Sequence, residues 1–397
     1  MANLQYSINM AKPKILLTTG HYLPGYKSGG PLRSILNLVN NLHDDFEFMI
    51  LTSDRDLGDI EAYSSIRNGE WIEVHNAKVK YLSPEEQTFK GVCDSIAKVE
   101  HDLLYLNSFY SSWSTIWPLL GRRIGRVPKQ PLLLAPRGEF SAGALALKSH
   151  KKNCYIKIAK LTGLLEDVNW HASTAFEQLD IERTIGQKTG SIFVASDLPD
   201  PAAEHLAPSS RDADNSYHIA FLSRISPMKN LDFALDVLQK LQLPISFNIY
   251  GPAEDDAYWM HCQKKISAMP KHITVQYHGS VEPHQVPAVL RSNDLFFLPT
   301  RGENYGHVIA EALAVGTPVL ISDQTPWRGL ERRELGFDLP LDNQAKFVEA
   351  IEIGAGMEPS ARLRKRLERH AFMLKMQAES SDVAANRLMF HKAIAGA

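Results

Sequence analysis

The chain has 397 residues, 44% hydrophobic and 22% charged, enough to bury a sizeable core over two domains and too apolar for a disordered or collagen-like chain. With 43 Lys and Arg against 45 Asp and Glu, the formal net charge is −2, so no whole-molecule field draws it onto polyanions. Three scattered cysteines (Cys93, Cys154, Cys262) form no CxxC pair, no apolar run approaches the roughly 20 residues that span a bilayer, and MANLQYSINMAKPK lacks an apolar signal core; a cytoplasmic location is expected.

Short runs of Val, Ile, Leu and Phe alternate with longer stretches of helical period, the pattern of parallel sheets with crossover helices. The first predicted strand, 14–20, opens into HYLPGYKSGGPLRSILNLVNNL, where Gly29 and Gly30 let a ligand approach the backbone and Pro31 suits the first turn of a helix. A plain turn explains a glycine pair equally well. Neither GxGxxG nor GxxxxGK[ST] occurs, which removes support for dinucleotide oxidoreductases and P-loop enzymes, and HExxH, GxSxG and EF-hand loops are missing too.

Further strands are predicted at 46–53, 103–107, 131–136 and 191–196. Between Gly121 and Lys160, ten cations face the single acid Glu139; Lys148 shares a helix face with Lys151 and Lys152, and Ile156 and Leu161 follow. The stretch reads either as a solvated face or as a surface that meets an anionic leaflet. With so few aromatic side chains, Tyr155 among them, to stack between the cations, no nucleic-acid partner is expected. The polar, proline-bearing segment 197–216 reads as a linker, joining two doubly wound domains near residue 205.

The second series begins with a strand at 218–223, whose loop carries Arg224 and Lys229, with Asn230 as an N-cap for the next helix. A guanidinium fork and an ammonium point charge at a sheet's ligand edge suit a diphosphate, although two solvated cations would look the same. Strands follow at 246–251, 273–279, 295–300 and 318–322. In LFFLPTRGENYGHVIAEALAVGTPVLIS (295–322) a loop with Glu303 precedes a helix that opens near Tyr305 or Gly306, whose free N–H groups suit a phosphate. Glu311 is a carboxylate on an otherwise apolar helix; it can take a ribose diol, or pair with a basic residue or with His307. No DxD and no His/Asp/Glu cluster in these windows invites a metal, so metal: none is the expectation.

In this order, the three windows resemble the retaining glycosyltransferases of family four over nearly the whole chain, most specifically in the E-x7-E pattern from Glu303 to Glu311. The resemblance implies an α/β GT-B fold, two doubly wound Rossmann-like domains facing across a cleft: an acceptor-side domain over 1–205, a nucleotide-sugar domain over 206–375, and a C-terminal helix, 376–397, returning to the first. It implies that Glu303 contacts the donor sugar, Glu311 the ribose, and Arg224 and Lys229 the diphosphate. Asn304, Tyr305 and Gly306 would line the donor site at the helix start, and Gly251 (in YGPAED) and Gly279 (in HGSV) would stand at nucleotide-pocket strand ends. Gly29 and Gly30 in KSGGP would contact phosphate or acceptor. Where many members have His-Gly, this chain has Arg137 and Gly138, so Arg137 is expected among the catalytic residues, against the donor sugar, an acceptor phosphate or Glu139. The implied activity is cofactor-free transfer from a nucleotide sugar to a glycan, lipid-linked, in cell-surface polysaccharide synthesis, by an enzyme held peripherally on an anionic membrane. The alternatives are a nucleotide-sugar 2-epimerase-like isomerase, which shares the architecture, and an inactive nucleotide-sugar-binding subunit.

Overall fold

The computed structural model describes residues 11–66, 69–146, 149–186, 190–201 and 217–396. The expected domain join near residue 205 and Lys148 lie outside the described residues. One sheet is built from β1 (Lys14–Thr18), β2 (Glu47–Ser53), β3 (Trp71–Val74), β4 (Ala77–Leu82), β5 (Leu103–Asn107), β6 (Leu132–Ala135), β7 (Asn169–Ala172) and β8 (Ile192–Val194), in the order β3-β4-β2-β1-β5-β6-β7-β8. The second holds β9 (Tyr217–Leu222), β10 (Ile245–Tyr250), β11 (Ile273–Tyr277), β12 (Leu295–Leu298), β13 (Val319–Ser322) and β14 (Gly336–Leu339), in the order β11-β10-β9-β12-β13-β14. Every pairing is parallel except that of β3 with β4.

Helices α1 (Gly30–Leu42), α2 (Phe89–Ala97), α3 (Trp117–Arg123), α4 (Ala142–Ala146), α5 (Ser149–Leu161) and α6 (Ala175–Ile185) go with the first sheet. Helices α7 (Leu231–Leu238), α8 (Asp256–Ser267), α9 (Val286–Arg291), α10 (His307–Ala314) and α11 (Gln344–Ala355) go with the second, and α12 (Pro359–Glu379) and α13 (Asp382–Ala395) close the chain. Both faces of the first sheet are buried. Ile15, Leu17, Leu103, Tyr105 and Leu133 pack under α1 and α13, while the alternate residues Leu16, Leu104, Leu106, Leu132 and Leu134 pack toward α2, α3 and α5. That two-sided burial is why these strands read as unbroken apolar runs.

The predicted runs overshoot their strands at the carboxyl ends: the run to Gly20 is a strand to Thr18, and the run to Thr300 is a strand to Leu298. The hairpin of β3 and β4, the four-residue β7 and the edge strand β14 were not predicted, being short or weakly apolar. The linker reading also began too early, since Asp197 and Leu198 are buried in the first domain. The end of the chain is two helices, not one segment from 376: α12 lies along α10, and Met389, Phe390 and Ala393 of α13 enter the core of the first sheet. Among the described residues, no helix is long and apolar enough to cross a membrane.

Candidate active site at the cleft

Parallel sheets open a crevice where the strand order reverses, and here the reversals fall between β1 and β5 and between β9 and β12. The loop after β9 carries Arg224 and Lys229, and the loop after β12 carries Glu303. Asn230 stitches them: its Nδ2 donates to Pro299 O at 2.9 Å, and its Oδ1 accepts from Arg301 Nε and Nη2 at 3.0 and 2.9 Å. Asn230 therefore stands at the N-cap position of α7 without capping it; it sits in a left-handed conformation (φ 62°) and its side chain is spent on the other loop. Lys229 Nζ meets Glu303 Oε2 at 2.6 Å, both largely buried, whereas Arg224 Nη1 meets Glu254 Oε1 at 2.6 Å near the surface.

Arg224, Lys229, Arg301 and Glu303 line one cleft of about 590 Å³ between the two sheets, shared with Gly29, Gly30, Arg137, Gly251 and Glu311. Asn304, Tyr305 and Gly306 line it where α10 begins, with Gly306 at φ 82° as N-cap. Gly251 is at φ 126°, and a methyl group there would overlap the Ser223 carbonyl, so only glycine lets these strand ends meet. Gly279 does not line the cleft; it accepts from Gly251 N at 2.7 Å, and its neighbours Ser280 and Val281 face the cavity instead. Gly29, at φ 68°, precedes α1, whose first turn includes Pro31.

Two links cross the cleft between α1 and α10. Arg33 Nη2 lies 3.1 Å from Glu311 Oε1, and Ser34 Oγ lies 2.8 Å from His307 Nε2. Ser34 also donates to Asp197 Oδ2 at 2.7 Å. Burial raises the Glu311 carboxyl above its ordinary range, and Arg33 and His307 oppose that. Arg33, Ser34 and Asp197 escaped the sequence reading because their partners lie far along the chain; the sole hint was a helix launched by a glycine pair.

The Arg137 side chain is 5% exposed, and its guanidinium donates to Asp197 Oδ1 at 2.5 Å, Asn107 Oδ1 at 3.0 Å and Tyr105 Oη at 2.9 Å. It does not pair with Glu139, which instead accepts from Ser108 Oγ and from the backbone N–H groups of Phe109 and Tyr110. Burial works against the Asp197 charge, yet Arg137, His307 and Ser34 together hold its carboxyl well below the usual range.

The basic stretch divides. Arg122 is buried and donates to Pro128 O and Gln130 O; Lys152 donates to Ala144 O at 2.6 Å and sits 5.0 Å above the Tyr110 ring; Ile156 belongs to the core. A leaflet-facing row through Lys152 and Ile156 is therefore excluded. What is exposed is Arg123, Arg126, Lys129, Lys151, Lys157 and Lys160. Near them, Leu120, Ile124, Ile158 and Leu161 are open to solvent, Leu161 to 86%. Arg123 Nε donates to Thr162 O at 3.3 Å, which brings the ends of α3 and α5 together into one patch.

Residues 204–366 match the family model described as glycosyl transferases group 1. A Klebsiella pneumoniae protein named "Uncharacterized 41.2 kDa protein in cps region" is 30% identical over 107 residues, 27% of either chain. Phosphatidyl-myo-inositol mannosyltransferase of Mycobacterium leprae is 28% identical over 139 residues, 34% of this chain and 36% of that one. The aligned stretches thus span about a quarter to a third of these relatives. The structure of Anabaena HepE in complex with UDP and glucose superposes with a TM-score of 0.70 at 15% identity, covering 97% of this chain and all of that one. That likeness shows the fold, two Rossmann-like domains facing across a cleft in the GT-B arrangement.

Proposed function

We propose that this chain is a retaining glycosyltransferase that moves a sugar from a nucleotide-sugar donor to a glycan acceptor, lipid-linked, in the making of a cell-surface polysaccharide. The observation that carries the reading is the Lys229–Glu303 pair at the strand-order reversal of the second sheet, beside the start of α10. An ammonium has three donors, so Lys229 can hold Glu303 and a phosphate oxygen at once. Arg224 is paired with Glu254 near the surface, where ion pairs contribute little, and can exchange that partner for the diphosphate. Together with the N–H groups that follow Gly306, these cations stabilise the charge that develops on the leaving diphosphate. No metal is assigned to that task.

In this reading Glu303 takes hydroxyls of the donor sugar, Glu311 takes the ribose, and Asn304, Tyr305, Gly251 and the Ser280–Val281 edge behind Gly279 surround the nucleotide. Gly29 and Gly30 offer backbone to the phosphate or the acceptor. Arg137 shapes this wall through Asp197 and Asn107 and extends no free guanidinium. The mannosyltransferase named above acts, by its name, on a lipid, and the patch around Ile124 and Leu161 gives this chain a surface that could rest on an anionic membrane. A single experiment tests the reading: incubation with nucleotide sugars, with and without membrane-extracted acceptor. Release of nucleoside diphosphate that needs the acceptor, yielding an α-linked product from an α-linked donor, is expected; Glu303→Gln should lower kcat at least tenfold, and Glu311→Gln should mainly raise the donor KM. Epimerised nucleotide sugar without acceptor would identify an isomerase, and binding without any turnover an inactive subunit.

A further inference from the structure

Helix α1 belongs to the first domain, yet one of its side chains ends on the carboxylate assigned to the ribose. Arg33 and Glu311 are 14% and 15% exposed, and both line the cleft. Glu311 lies among the buried Ile309, Ala312 and Leu313, and among the described residues Arg33 is its one ion-pair partner. Arg33 is itself fixed: Nη2 also donates to Pro283 O at 3.3 Å, and Nη1 lies 3.8 Å from Asp200 Oδ2. A planar guanidinium held at both ends sets the orientation of the carboxylate it meets. Only Oε1 of Glu311 is taken by Arg33, and a carboxylate accepts about four hydrogen bonds, so capacity remains toward the cavity.

We propose that Arg33 is a positioning residue for the nucleotide: from the opposite domain it pins one oxygen of Glu311, so that the other accepts a ribose hydroxyl. The inference rests on the assignment of Glu311 to the ribose. It makes recognition of the sugar half of the nucleotide a property of both domains, although the carboxylate belongs to the second alone. Burial disfavours a charged Glu311, and the Arg33 cation opposes that, so loss of Arg33 removes the orientation of the acceptor and weakens the support for its charge.

The test measures ribose recognition separately from overall affinity. Titration calorimetry of the full chain with UDP, GDP and ADP finds the diphosphate that binds, and its 2′-deoxy and 3′-deoxy forms then report the ribose contact. Wild type is expected to prefer the ribonucleotide to at least one deoxy form by about tenfold, the scale of a hydrogen bond to a charged group. Arg33→Met should bring that ratio to about 1 while leaving affinity for the deoxy form within about twofold, and Arg33→Lys, which keeps the charge and loses the fork, should fall between. Should Arg33→Met fail to fold, the Arg33→Lys ratio decides alone. A wild-type ratio in the Arg33 variants, with the ratio lost in Glu311→Gln, overturns the role of Arg33 and leaves the ribose assignment standing. A ratio that survives Glu311→Gln, or binding of none of the three diphosphates, overturns the ribose assignment itself.

Discussion

A buried arginine is stable only when its N–H groups find acceptors, and Arg137 finds Tyr105, Asn107 and Asp197. The chain continues from there. His171 Nε2 must donate to Ala195 O at 2.8 Å, so Nδ1 accepts from the Tyr105 hydroxyl at 2.6 Å, and the ring is neutral. Burial, helped by the Arg137 charge, pushes the His171 pKa down to about 4. The unfolded imidazole titrates near 6.5, so this group's contribution is fully present above about pH 6.5 and is lost as pH falls toward 4. Replacing His171 by Gln should reduce the loss of unfolding free energy between pH 6.5 and 4.5 by up to about 1.4 kcal/mol per pH unit, read from urea titrations at each pH. An identical slope in both proteins would mean that His171 is not buried neutral. At the same scale, the proposed role of Arg224 and Lys229, to neutralise the diphosphate without a divalent ion, predicts that turnover survives excess EDTA; activity lost to EDTA and restored by Mg²⁺ would contradict that assignment. Arg224, Lys229 and Glu303 were legible as cleft residues because each falls in the loop just after a strand, and Glu311 because it is a lone carboxylate on an apolar helix. Asp197, 60 residues from Arg137 along the chain, was read as linker because nothing local marks a polar residue as buried.

Elements were legible where burial is two-sided. β1, β5 and β12 are continuous apolar runs and were found; β3, β4 and β14 lie at or beside sheet edges, where one neighbour is missing and the apolar signal thins. Helix α13, the part of the expected C-terminal helix that returns to the first sheet, has a short apolar face that meets a large target. Phe390 is fully buried, its ring centroid 5.3 Å from Phe46, 6.1 Å from Phe48 and 5.5 Å from Tyr105. Removing the ring leaves a cavity under three aromatics of the first sheet, so Phe390→Ala should destabilise the protein by about 3–5 kcal/mol in denaturant unfolding. Leu388, exposed on the same helix, is the comparison: Leu388→Ala should cost less than about 1 kcal/mol. Equal costs for the two would show that α13 is not docked on the sheet.

At the scale of the whole molecule, the net charge of −2 conceals a separation that composition alone could not place. The sequence revealed the basic stretch between Gly121 and Lys160 but not which cations are free, because a lysine that spends its ammonium on a carbonyl, as Lys152 does, looks in sequence like one that faces water. With the buried members removed, Arg123, Arg126, Lys157 and Lys160 remain exposed beside Leu120, Ile124, Ile158 and Leu161 at the joined ends of α3 and α5. Cations around exposed aliphatic side chains suit an anionic leaflet in two separable ways. The charges attract over a screening length of about 8 Å at physiological salt, while the aliphatic groups contribute only once inserted and depend little on salt. At about 1 kcal/mol per cation near such a surface, replacing Arg123, Arg126, Lys157 and Lys160 by Glu should weaken binding to vesicles of phosphatidylglycerol and phosphatidylcholine by more than a hundredfold, and should abolish its salt dependence. Replacing Ile124 and Leu161 by Ser should weaken it less and leave the salt dependence in place. Both variants should bind the nucleoside diphosphate as wild type does, since none of these side chains lines the cleft. Co-sedimentation across a salt series decides: wild-type partitioning of the charge-reversed protein would mean that this surface does not face a membrane, and loss of nucleotide binding alongside would point to damaged folding instead.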